Sequence, residues 1–309
     1  MSLFNINVDE KIGTKIEAQQ TLSDIIKQCR LDFKLEKQPI FDKDGRVIKD
    51  NFLIRNITDN VDLGIVGSKY EIVPVESMLE PFDKIVRDNG LIYENAGIIG
   101  DGAKCWVSAR FEDPMKLKFR PTDLIENRII ALISNDSSYK NSYISLNKRI
   151  FCNNQYKMMN AQAADGLRIQ HTINHQRKID ESHKIIQNCI TAGQHFMEKA
   201  NYLNDKLMSE IEARGFVDKL FPTRTRTKQA HRTEHKKLMI LELFRSGKGN
   251  IGKTRWDMFN GVTEYFDHYN NTKKIEKFGR PALERRFVNN LIFGEGVQTK
   301  AKALELLLK

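Results

Sequence analysis

Cysteine is scarce in this chain. Cys29, Cys105, Cys152 and Cys189 lie far apart and no CxxC pair occurs. That spacing argues against a structural zinc site and a disulfide framework, and it suits buried free thiols in a reducing cytoplasm. Long apolar runs are missing too. None approaches the roughly 20 residues that cross a bilayer, so no membrane partner is expected. The opening MSLFNINVDEKIG has no positive region followed by an apolar one and does not read as a signal peptide. No Ser/His/Asp or Cys/His arrangement is legible. His171 and His175 stand four apart, as do His231 and His235, but neither pair has a nearby cysteine or a convincing carboxylate set. The expectation is therefore no metal and no cofactor. Acidic charge falls short of basic: 40 Asp and Glu against 50 Lys and Arg leave +10, an excess that favours a polyanionic partner.

With 309 residues, 40% hydrophobic and 29% charged, the composition is that of a soluble globular protein with more than one core. Periodicity divides it. Thr21 and Asp24 form a capping-box start, followed by a helical stripe of Leu22, Ile25, Ile26 and Cys29. Short extended pieces follow, and Ser77 with Glu80 reads as a second capping box, before a helix that Asn89-Gly90 stops. Residues 103–111 alternate: Cys105, Val107, Ala109 and Phe111 face inward, while Lys104, Trp106, Ser108 and Arg110 face out. Two readings of Trp106 stand open, an exposed basic-aromatic face or a ring packed beneath a helix. Residues 129–133 and 143–152 flank an Asp-, Ser- and Asn-rich turn, which is a hairpin signal. In the second strand Ile144, Leu146, Lys148 and Ile150 point one way; Tyr143, Ser145, Asn147 and Arg149 point the other. Residues 156–164 read as a helical turn and 167–171 as a short strand.

The fold class expected is α+β: a mostly antiparallel sheet with backing helices over residues 1–175, then an all-helical domain over 176–309. In the second part, Ile179 through Met197 mark one long helix, which Leu203, Leu207 and Ile211 extend. Residues 222–237, PTRTRTKQAHRTEHKK, set six cations against one acid, as a loop or the start of a solvated helix. Residues 247–254, GKGNIGKT, match the phosphate-loop pattern GxxxxGK[ST] to the letter. A true phosphate loop needs a buried strand before it, yet HKKLMILELFRS is helix-like and charged. The alternative is that Gly247, Gly249 and Gly252 end one helix and Thr254 caps the next.

Several segments resemble a phage and plasmid protein family known as domain of unknown function 932. They are FLIRNITDNVDLGIVGSKYEIVPV (52–75), AGIIGDGAKCWVSARF (96–111), ISNDSSYKNSYISLNKRIFCNNQ (133–155), LRIQHT (167–172) and TRWDMFNGVTEYFDHY (254–269). The resemblance runs from about residue 20 to 270 in the family's order. Asn135-Asp136-Ser137-Ser138 stands where His-Asp-Gly-Ser is expected, and Asn147-Lys148 where a proline is common, so a role for that histidine does not carry over. The family supplies no catalytic residues. The element order is also similar to that of single-strand annealing proteins of the RecT and Red-beta types. That likeness implies a curved sheet, homo-oligomeric rings or filaments, and DNA in a basic groove.

These readings lead to a non-catalytic protein that binds single-stranded DNA (or RNA) and anneals strands in recombination or replication. Its expected contacts are Lys104, Trp106, Arg110, Lys140, Tyr143, Lys148, Arg149 and Arg168, with Arg224, Arg226, Lys228 and Arg232 from the second part. Cations would hold phosphates while rings meet bases. The competing classes are a nucleotide-binding enzyme using residues 247–254 and a phage structural or host-interaction protein.

Overall fold

A computed structural model describes residues 12–17, 20–118, 120–150, 154–157, 168–169, 183–223, 228–270, 272–292 and 294–309. It is α+β, with antiparallel sheets in the first half and helices in the second. The strands are β1 (Gly13–Lys15), β2 (Leu35–Phe41), β3 (Val47–Asn56), β4 (Val61–Gly67), β5 (Ile92–Ile99), β6 (Lys104–Arg110), β7 (Met115–Leu117), β8 (Arg120–Ser134), β9 (Asn141–Arg149), β10 (Asn154–Lys157) and β11 (Arg168–Ile169). The main sheet runs β1-β5-β6-β8-β9-β10, with β7 paired to β8 and β11 to β9; a second sheet is β2-β3-β4. The helices are α1 (Leu22–Gln28), α2 (Val75–Asp88), α3 (His183–Asp205), α4 (Glu210–Leu220), α5 (Lys228–Ser246), α6 (Arg255–Glu264), α7 (Thr272–Phe278), α8 (Arg280–Phe287) and α9 (Glu295–Leu307).

Local chemistry accounts for several helix starts. Thr21 and Asp24 form the expected capping box on α1, Ser209 and Glu212 one on α4, and Thr254 and Asp257 one on α6. The second expected box is absent. Pro74 stands at the N-cap of α2 with φ −56°, so Ser77 already lies inside the first turn. Tyr156 belongs to β10 rather than to a helical turn. The long helix breaks after Asp205, and Leu207 and Ile211 are exposed rather than part of its buried stripe.

The main sheet is covered on both sides. Cys105, Val107 and Ala109 on β6, Ile129, Ala131 and Ile133 on β8, and Tyr143 on β9 pack under α1 and α2. On the opposite face Trp106, Ile130, Leu132, Ile144 and Leu146 pack with Ile12 and with Phe287 of α8. A third cluster gathers Leu117 and Ile125 of the sheet with α3, α4, α5, α6 and α9. The cores therefore cross the compositional boundary near residue 175. Every residue of β9 is buried, so this hairpin strand is a central layer and not a one-sided surface.

Candidate nucleic-acid interface

That burial corrects the expected binding face. Trp106 is inaccessible and packs against Phe287, rings tilted by 35° and centroids 5.2 Å apart, as the packed-beneath-a-helix reading required. Tyr143 is equally inaccessible; its ring lies parallel to Phe82 at 5.9 Å and its hydroxyl donates to the Met78 carbonyl at 2.6 Å. Lys148 is buried. Lys104, half-buried, pairs with Asp136. Burial alone would raise the Asp136 pKa, but hydrogen bonds from Lys104, Ser138 and Ser134 hold it below the usual carboxylate value. Arg110, half-buried, donates to the carbonyls of Phe111 and Glu112. Arg168 contributes backbone to β11, with its side chain outside the described residues, as is that of Lys228 at the start of α5. Arg224 and Arg226 lie outside the described residues altogether. Among the expected contacts whose side chains are described, only Lys140, at the β8–β9 turn, and Arg232, on α5, are exposed.

Arg149 does something else entirely. Its guanidinium takes Asp123 of β8 in a bidentate pair, both contacts at 2.5 Å. It also donates to the carbonyls of Lys248 and Gly249 and to the side-chain oxygen of Asn250, at 3.1, 3.0 and 3.2 Å. Trp256 completes the cluster by donating its indole N–H to Asp123 at 3.1 Å. Beside it Arg120 holds Asp257 through two bonds of 2.7 and 3.1 Å. Burial pushes the Asp257 pKa up, yet the Arg120 hydrogen bond, with backbone N–H groups of Lys253 and Thr254, brings it below its ordinary value. Glu264 goes the other way, raised by burial.

The glycine-rich segment is part of this lock. It follows helix α5 rather than a strand. Its carbonyls face Arg149, while the Lys248 N–H is taken by Glu264 and the Lys253 N–H by Asp257. Asn250 donates to the carbonyls of Leu243 and Asp257. A phosphate loop needs its amides turned inward around an anion. Here the inward groups are carbonyls around a cation, and Thr254 caps α6. Gly252, at φ +67°, brings the chain onto the Arg245 backbone, where a Cβ would sit 2.9 Å from Cα.

Free positive charge is elsewhere. Residues 1–175 hold 24 Lys and Arg against 24 Asp and Glu, whereas residues 176–309 hold 26 against 16. The whole net excess therefore sits in the helical half. Beside residues 222–237 it has a second basic run, TKKIEKFGRPALERRF (272–287), with six cations and two acids. On α7 the residues Lys274, Lys277 and Phe278 are three and four apart and share one face, with Glu276 on the other. All three are exposed, Phe278 to 52%, and the Lys277 ammonium lies over the Phe278 ring at 5.2 Å. Arg285 of α8 is exposed as well, while Arg280 is tied to Glu284 and to the Ile12 and Ile98 carbonyls. A basic-aromatic face does exist, then, on a helix that sequence periodicity passed over because the segment has almost no apolar stripe. A cleft of about 440 Å³ lies beside α8, but it is lined by Asp59, Asp101 and Glu284 as well as Arg30 and Arg280, so it is not a phosphate pocket. Among the described residues no group of His, Cys, Asp and Glu is placed to hold a metal ion, and no helix is long and apolar enough to cross a membrane.

The family model described as Domain of unknown function (DUF932) matches residues 62–286. The chain belongs to that family. The matched stretch of this DUF932 member begins in β4 and ends in α8. It therefore takes in the Arg149–Asp123–Trp256 lock and the α7 face, but not β2 or β3. Two of the segments that carry the sequence resemblance, 133–155 and 254–269, meet in that lock. No curated protein and no solved structure matches, so the likeness to single-strand annealing proteins has no support from either.

Proposed function

We propose that this protein binds nucleic acid, preferring single strands, and holds them for annealing in recombination or replication without breaking a bond. The observation that carries this reading is the confinement of all net positive charge to the helical half, where Lys274, Lys277 and Phe278 share an exposed face. Ammonium groups would neutralise phosphates, and the ring offers a stacking platform for a base. Arg285, on the adjoining α8, and Arg232, on α5, are further exposed cations. The first turn of α5 contains no acid, so the positive end of its dipole adds to the positive charge near Arg232 instead of being offset. The reading places the protein in a reducing cytoplasm, in keeping with the buried free thiols of Cys29, Cys105 and Cys189. Burial pushes the Cys29 thiol up to about 11, which keeps it protonated and unreactive.

A titration of a fluorescent oligonucleotide by anisotropy tests it. Binding should weaken steeply with salt, and Lys274→Glu with Lys277→Glu should flatten the log–log salt slope by about 1.4, at ~0.7 per phosphate contact on a single strand. Absence of binding at low salt, or affinity indifferent to salt, removes the reading and leaves the structural or host-interaction class.

A further inference from the structure

Two π-helical turns bracket α7 and α8: Tyr265–Tyr269 runs on from α6, and Val288–Ile292 follows α8. Such turns break the regular bonding of a helix and are frequent at functional sites. Here side chains take the carbonyls at the end of the first turn. Arg286 donates to those of His268, at 3.3 Å, and of Asn270, and the Asn290 amide donates to that of Phe266. Lys300 of α9 joins both turns. Its buried ammonium pairs with Asp267 of the first and donates to the Asn290 carbonyl of the second at 3.3 Å. Helix α7 depends on these ties. Among the described elements its main packing is on α8, which it meets at Gly279, φ +59°. Helix α8 is itself fixed to the sheet, by Phe287 against Trp106 and by Arg280 on the Ile12 and Ile98 carbonyls. The orientation of α7 is therefore set by where its entry, residues 266–270, sits relative to the exit of α8.

We propose, resting on the nucleic-acid reading above, that Lys300 is a positioning residue for the α7 face: by gripping both π turns it fixes the orientation in which Lys274, Lys277 and Phe278 meet a strand. Stability alone does not call for a charge there. Val297, Ala303 and Leu307 already bury α9 without it, and apolar residues of similar volume often serve a fold as well as a buried ion pair, or better. What an apolar pair lacks is direction. Charge-assisted hydrogen bonds to a carboxylate on one turn and a carbonyl on the other hold the two at a set spacing.

The test is the full chain carrying Asp267→Leu with Lys300→Met, which exchanges the pair for apolar groups and should keep the melting midpoint. Hydrogen exchange is measured without nucleic acid, and anisotropy with the fluorescent oligonucleotide. Amides of residues 272–279 should exchange at least about tenfold faster while those of β8 and β9 stay as in the wild type. Affinity at low salt should fall about tenfold although Lys274 and Lys277 are intact. Lys300→Gln, uncharged but polar, serves as a second variant should the apolar pair perturb folding, with the same local change expected. Exchange over 272–279 that is unchanged, or raised evenly along the chain, overturns the proposal, as does wild-type affinity in a folded variant. An oligonucleotide that the wild type itself fails to bind overturns the reading of the face, whereas the exchange measurement, made without it, judges the grip of Lys300 on α7 separately.

Discussion

Strand β9 and helix α7 are written in much the same residues, and the structure uses them in opposite ways. Tyr143, Lys148 and Arg149 on β9 are closed in between layers, whereas Lys274, Lys277 and Phe278 on α7 face solvent. The difference lies in what surrounds each element. A strand in the middle of a sheet has two faces to be covered, and here both are. A cation placed there must find a carboxylate and carbonyls, since a buried charge without partners costs several kcal/mol. A seven-residue helix at the periphery needs only one side covered, and its remaining cations stay hydrated and available.

The sharpest way to break this contrast is to remove the Arg149 guanidinium. Arg149→Ala leaves Asp123 buried without its partner and frees the carbonyls of Lys248 and Gly249, and should cost about 3–5 kcal/mol in a denaturant or thermal melt. Trp106→Ala should lose a comparable ~3–5 kcal/mol through the cavity it leaves against Phe287. Were either residue a ligand contact on an open face, its removal would change oligonucleotide affinity and leave the melt alone. Next comes acid. Asp257 has its folded pKa lowered, so the stability it contributes is present above its unfolded value of about 3.9 and is lost as pH falls through the lower folded value. Asp257→Asn should therefore be less stable than wild type at neutral pH, with the gap closing in melts taken at low pH. The smallest effect on stability is expected on α7. Lys274→Glu with Lys277→Glu should move the melt by no more than about 0.5 kcal/mol, yet weaken oligonucleotide binding about tenfold or more at low salt. Lys140→Glu, at an exposed cation on the β8–β9 turn rather than on α7, sharpens the comparison by changing both little.

Much of the architecture was legible because it is local. The Thr21–Asp24 box, the alternation of Cys105, Val107 and Ala109, the hairpin across Asn135–Asn141 and the helix break at the glycine-rich segment are all set by residues within a few positions of one another. Ser77 was misread because a capping pattern says nothing about a proline three residues earlier that already starts the helix. The site was not legible for a different reason. Polar and apolar residues alternating along 143–149 look the same whether the polar side meets water or a second layer. What decides is Asn250 and Trp256, 101 and 107 positions further on, and no spacing rule announces a contact at that range. The α7 face was overlooked for the converse reason: a short helix whose Lys274, Lys277 and Phe278 are all exposed shows no hydrophobic period.

The reach of Arg149 to the 248–250 carbonyls also bears on how the molecule comes into being. During translation, the β-layer emerges a hundred residues before the segment that closes over it, and domains otherwise tend to form in the order they are made. A nascent chain halted before Lys248 would hold a guanidinium–carboxylate pair with one side open, and a sheet whose Trp106 lacks its cover of Phe287. The ribosome must therefore deliver the chain past Phe287 before its centre can shut.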